Sequence, residues 1–303
     1  MPRPPMRLMK SERPNAEPAV SKIESGLTTA ARFARCHAIA AIYRARRRGD
    51  VGAALASAEL LACLYGAELN LWPSTIADPH RDRFVLSKGD AAPTLYAIAA
   101  HYGFCDAKEV LGFCKFGSRF QIVPREESLA FIASGPASPG EGLSVAMGMG
   151  LGLMLQKSGA RVYALLDQAE AQAGEVWEAA ICAARQGLDN LCAIVEVNRR
   201  PYSDVADVAS WPESIAAKWR AFEWAVAEVD GHDIAQILSV FRRAGTVKNR
   251  PTLVVAHTVR GHGVPALIDA SPAHAPPTLA QSQDWLASLG VSLKEIAELL
   301  DDA

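Results

Sequence analysis

Between residues 161 and 204 two apolar runs flank a helix-forming segment, an order that few folds accommodate. The first run, Arg161-Val-Tyr-Ala-Leu-Leu-Asp167, stops at the small-residue stretch Gln168-Ala-Glu-Ala-Gln-Ala-Gly174. Residues 175–186 follow as a helix, and Leu191-Cys-Ala-Ile-Val-Glu-Val197 is a second apolar run that breaks at Asn198-Arg199-Arg200-Pro201. Neither run alternates with polar residues, so each strand is expected to be covered on both faces, as in a parallel sheet. Ligands of such sheets lie beyond the carboxyl ends of the strands. The candidate site is therefore placed at Asp167-Gln168 and at Asn198-Arg199-Arg200.

The rest of the chain repeats this alternation. Helices are predicted over 21–48, 57–68, 94–102, 106–114, 143–156, 175–186 and 210–222, and strands over 83–88, 224–229 and 252–257. Asp230-Gly231-His232-Asp233 reads as a turn that caps the next helix. Alternating strands and helices point to an α/β fold, a doubly wound parallel sheet flanked by helices. Residues 1–20 carry five prolines and few large apolar side chains and are expected to be a disordered tail, with one domain over 21–303. Cations at 44 and 46–48, ahead of Gly49, read as a solvated helix end, with an anion site as the alternative.

Composition narrows the partners. A formal net charge of −2 gives no basis for nucleic acid or an anionic membrane as a partner. No apolar run is long enough to span a bilayer and no signal-peptide core follows the N-terminus. Six scattered cysteines without C-x-x-C spacing read as free thiols of a reducing compartment, so a cytoplasmic location is expected.

Several motifs, taken together and in order, carry a family resemblance. They are Asp82-Arg-Phe-Val-Leu-Ser-Lys-Gly89, Gly174 with Val176-Trp-Glu-Ala-Ala180, Leu188-Asp-Asn-Leu191, Lys218-Trp-Arg-Ala-Phe222 and Glu228-Val-Asp-Gly-His-Asp233. Across roughly 24–285 the chain resembles the transketolase N-terminal domain, the diphosphate-binding half of a thiamine diphosphate enzyme. The resemblance implies the thiamine diphosphate-binding fold, thiamine diphosphate and Mg2+ as cofactors, and a separate pyrimidine-binding partner like the C-terminal part of transketolase, arranged as a dimer of heterodimers. It also implies which residues meet the cofactor. Gln168 and Asn198 stand at the metal-ligand positions, Gln168 where the family's Gly-Asp-Gly turn has its carboxylate. Asp167 and Ala169 replace the glycines of that turn, and Gly140 and Gly142 belong to the family's glycine-rich cofactor loop.

Other departures lie in the ligand-facing loops. Asp50, Asp90 and Ile122-Val123-Pro124 stand where the family has channel histidines, and Ala173 where it has a glutamate. Asp50 and Asp90 are placed to pair with arginines in the vacated channel. His274 matches a fourth histidine loosely, and His262, between two glycines, is a second pocket candidate; these two are the catalytic candidates. His232 and His257 read as structural. Arg199 and Arg200 either bind phosphate bidentately or face water, and Arg200 is counted with the cofactor-binding set. A magnesium site with an amide in place of a carboxylate is expected to bind thiamine diphosphate weakly. Three readings follow: a two-component enzyme moving a two-carbon ketol or acyl unit to an aldehyde acceptor, a non-catalytic partner of such an enzyme, or a pocket for another phosphorylated ligand. The helix over 142–156, apolar nearly all round, is expected to pack its outward face on another protein chain.

Overall fold

A computed structural model describes residues 17–46, 50–132, 138–198, 211–268, 270 and 276–301. Five strands, β1 (Arg83–Leu86), β2 (Val162–Asp167), β3 (Leu191–Asn198), β4 (Ala225–Asp230) and β5 (Thr252–Thr258), form one sheet in the order β1-β2-β3-β5-β4. Every neighbouring pair is parallel. The unalternating apolar runs explain why: successive side chains of β2 and β3 enter opposite cores, and each core has its own helices.

One core takes Tyr163, Leu165, Cys192, Ile194 and Val254. Over it lie the helices Glu17–Arg44, Ala58–Cys63, Ala92–His101 and Ile234–Ala244. The long first helix buries Leu27, Ala31, Ala34, Ala38 and Ile42, an apolar stripe at helical spacing. The other core takes Val162, Ala164, Leu166, Ala193, Val195 and Val255, and is covered by the helices Glu141–Leu155, Gly174–Arg185 and Trp211–Ala221. Trp219 is fully buried there against Trp177 and Trp224.

Three local expectations change. The first helix starts at Glu17, inside the stretch read as a tail; Pro18 sits in its first turn, where a missing N–H costs nothing. The helix expected over 57–68 is preceded by Val51–Ala56, begins at Ala58 and ends in a π-helical turn, Leu64–Glu68. The segment 106–114 is helical only over Ala107–Val110, where Asp106 and Glu109 form a reciprocal cap. All six cysteines are free. Burial pushes the thiols of Cys36 and Cys192 up, to about 11 and about 12, so neither is a ready nucleophile. No helix among the described residues is long and apolar enough to cross a membrane.

Candidate functional site

The parallel register brings five segments to one edge of the sheet: Ser87 to Asp90 after β1, Asp167 to Ala169 after β2, Asn198 ending β3, Gly231 and His232 after β4, and Val259 to His262 after β5. Asp167 stands opposite Glu196, and Asn198 opposite Thr258, so Asn198 reaches one pleat repeat beyond the end of β2.

At the end of β2 the chain turns at once into a short 3-10 segment, Glu170–Gln172. The Asp167 carboxylate folds back on this turn: its Oδ1 accepts from the backbone N–H of Ala169 at 2.7 Å and of Glu170 at 2.8 Å. The Glu170 carboxylate in turn accepts from the Asp167 N–H at 3.3 Å. Burial, and then the charge of Asp167, push the Glu170 carboxyl up to about 7. Gln168, half-buried, stands between these two acids.

Beneath this edge the charges are paired. Lys88 Nζ, buried, meets Glu196 Oε1 at 2.5 Å and also donates to Ser57 Oγ at 3.2 Å and the Ala53 carbonyl at 3.0 Å. Ser57 donates to the other oxygen of Glu196 at 2.5 Å. A second pair links Arg35 and Glu59 at 2.6 Å. Glu59 also accepts from His232 Nδ1 at 3.0 Å, while His232 Nε2 accepts the Val259 N–H at 2.8 Å. Both ring nitrogens of His232 are thus committed to hydrogen bonds. Burial alone would raise Glu59; the His232 hydrogen bond and the Arg35 charge instead hold it down to about 2.

His262 stacks on His232 with ring centroids 3.7 Å apart. Burial, and next the neighbouring His232, hold its pKa down to about 4, so it is an uncharged stacking partner at neutral pH. Glu59, His232 and His262 have metal-ligand chemistry and lie within 4.8 Å of one another. With both His232 nitrogens in use and Arg35 on Glu59, they serve here as a hydrogen-bonded Glu59–His232 pair with His262 stacked on it.

The third pair is formed by one of the acids that replace channel histidines. Asp50 caps the helix Val51–Ala56 through the Ala53 N–H at 2.7 Å and pairs with the Arg260 guanidinium. Arg260 is buried and lies flat over Gly52, where a Cβ would stand 2.8 Å from its side chain; only glycine leaves that space. The Arg260 N–H points at Asn198 Oδ1 from 3.4 Å. Asp50 therefore finds its arginine after β5. Asp90 is exposed.

Gly140 and Gly142 have a packing reason in the fold. Gly140, at φ 92°, begins the helix Glu141–Leu155 with Val176 and Ala173 against it, and Gly142 touches Ser87. His257 pairs with Glu228 at 3.2 Å. Arg199, Arg200 and His274 lie outside the described residues.

The magnesium ion that the resemblance implies needs a carboxylate at 168 and an oxygen at 198, and an anion at such a chain end is favoured by open backbone N–H donors. Gln168 brings no charge, and the Ala169 and Glu170 N–H groups are already taken by Asp167. Lys88 and Arg260, described cations of this edge, are held by Glu196 and Asp50. The described residues do not fit the group in that arrangement. Sequence reasoning missed the Lys88–Glu196–Ser57 set. Its signal was a single charge inside the apolar run of β3, which a strand buried on both faces tolerates only with a partner.

The profile described as "Transketolase, thiamine diphosphate binding domain" matches residues 27–291. Transketolase-like protein 2 of Homo sapiens is 33% identical over 276 residues, 91% of this chain and 44% of that protein. One of the subunits of apulose-4-phosphate transketolase from Phocaeicola vulgatus is 32% identical over 223 residues, 74% of this chain and 79% of that protein. Against the longer relatives the chain thus spans less than half the length. A transketolase from Pichia stipitis in complex with sedoheptulose-7-phosphate superposes with a TM-score of 0.79 at 24% identity, over 91% of this chain and 44% of that one, which shows the fold. On the matched span and these identities, the chain belongs to the transketolase family and carries its thiamine diphosphate binding domain.

Proposed function

We propose that this chain is the diphosphate-half subunit of a two-subunit transketolase-type assembly, paired with a second chain that carries the pyrimidine-binding domain. The observation that carries this is an apolar patch exposed at the C-terminal end of the helix Glu141–Leu155. That helix turns Leu143, Ala146, Gly150 and Leu153 to the core. Val145, Met147 and Leu151 flank that core face half-buried, and at the end of the helix Met154 and Leu155 are exposed, Leu155 at 73%. On the helix Gly174–Arg185, which packs beside it, Ile181 is also exposed, at 45%. Such a patch marks an association surface. The Phocaeicola vulgatus relative, itself named as one subunit of a transketolase and covered over most of its length, supports a protein partner of that kind. The assembly would transfer a two-carbon ketol or acyl unit to an aldehyde-type acceptor in the cytoplasm, as two such pairs. The self-satisfied turn after β2 favours a second reading, in which this chain builds or regulates the assembly without turnover.

The test mixes the purified chain with candidate pyrimidine-binding subunits and follows mass by light scattering and ketol transfer by product formation. The chain alone is expected to show no turnover, and the mixture a stable complex that Leu155→Glu abolishes. A complex without turnover selects the second reading. Turnover by the chain alone, or a monomer that binds no such partner, refutes the two-subunit proposal.

A further inference from the structure

We infer that Asp167 is a built-in occupant of the diphosphate position: its carboxylate holds the two backbone donors at the end of β2 that a phosphate would need, and it, more than the missing carboxylate at 168, bars a metal diphosphate. The inference rests on reading this chain as a diphosphate-half subunit, but not on its having a partner.

The geometry separates two causes that the sequence merges. Loss of a carboxylate at 168 removes a metal charge, and restoring it with Gln168→Asp looks sufficient. Yet the N–H groups of Ala169 and Glu170 both end on Asp167 Oδ1, at 2.7 and 2.8 Å. A diphosphate arriving there meets donors already used and a fixed negative charge beside them. Hydrogen bonds to an ionised carboxylate are among the stronger ones, so an incoming anion does not displace it without loss. β2 pairs with β3 through its last residue, Asp167 opposite Glu196. Ser87, Lys88 and Glu170 surround the turn, and Lys88 spends its charge on Glu196.

The probes are magnesium thiamine diphosphate and magnesium pyrophosphate, titrated by calorimetry into the full chain and four variants. Unmodified protein and Gln168→Asp are expected to bind neither appreciably. Asp167→Gly frees both donors, and the double variant Asp167→Gly, Gln168→Asp adds the metal charge. Binding by the double variant should exceed the parent's by about ten- to hundredfold, about 1.4 kcal/mol per decade. Asp167→Asn keeps the cap while removing the charge, and is expected to gain little. Thermal melts establish that each variant is folded, and Asp167→Ala replaces the glycine variant if that one is not. Four results overturn the inference: tight magnesium-dependent binding by the parent, full recovery by Gln168→Asp alone, recovery by Asp167→Asn equal to that of Asp167→Gly, or no gain in the folded double variant.

Discussion

Two neighbouring regions at the carboxyl edge of the sheet handle charge in opposite ways. Under β1, β3 and β5, buried carboxylates meet buried cations: Glu196 with Lys88, Glu59 with Arg35. After β2, one strand away, Asp167 is bonded to backbone N–H groups and Glu170 leans on the Asp167 N–H. The difference follows from depth. Within the sheet water cannot solvate a charge, so an unpaired one is not tolerated. At the strand end, half-exposed, a carboxylate is held adequately by a turn. The first region is therefore scaffold, and the second is the one where the proposed block to a ligand lies.

The strongest way to break this contrast is to remove one partner of the buried pair. Lys88→Met leaves Glu196 charged and buried with the Ser57 hydroxyl still on it, and should destabilise the fold by about 3–5 kcal/mol in denaturant unfolding. Adding Glu196→Leu should recover most of that loss, because the double variant strands no charge. A loss below about 1 kcal/mol in the single variant would show that water reaches the pair, and the contrast in depth would fail.

A smaller effect separates the histidine stack from the ion pair beneath it. His262 has its pKa depressed on folding, from an ordinary value near 6.5 to about 4. Its neutral form is favoured by the fold, so the associated stability is full above about pH 6.5 and is lost as pH falls toward 4. Glu59, also depressed, loses its contribution lower, from its ordinary value of 4.5 down to about 2. Allowing for the partial exposure of His262, the upper window should cost about 1–2 kcal/mol. His262→Phe keeps a stacking ring and should flatten the stability profile between pH 6.5 and 4 while leaving the fall below 4.5 unchanged. An unchanged profile in the variant would mean that His262 titrates in water.

The smallest effect sharpens the other side of the contrast. Asparagine caps a turn about as well as aspartate, so Asp167→Asn should change stability by no more than about 0.5 kcal/mol. A loss near that of Lys88→Met would put the β2 turn in the scaffold with the rest.

Much of this was legible in the chain. Unalternating apolar runs at β2, β3 and β5 required a sheet covered on both faces, because a strand that is apolar on both sides has no face to give to water. The candidate edge followed from that topology, as did the turn at Asp233, whose side chain accepts the Gln236 N–H at 3.0 Å. The boundaries of the helices were less legible, because a π-helical turn at Leu64–Glu68 and a single-turn helix at Ala107–Val110 have no periodicity long enough to read.

By itself, then, the sequence determined the parallel α/β sheet, the edge where a ligand would meet it, and the residue types standing there. Only the tertiary structure decided which of those residues were still free to act. Partners such as Lys88 and Glu196, or Asp50 and Arg260, are 108 and 210 positions apart, and periodicity carries no information on contacts across that separation. The direction of the Asp167 carboxylate is likewise invisible in the letters Asp-Gln-Ala. It depends on how the chain leaves β2, where the two nearest unsatisfied donors are its own backbone N–H groups and the side chain is short enough to reach both.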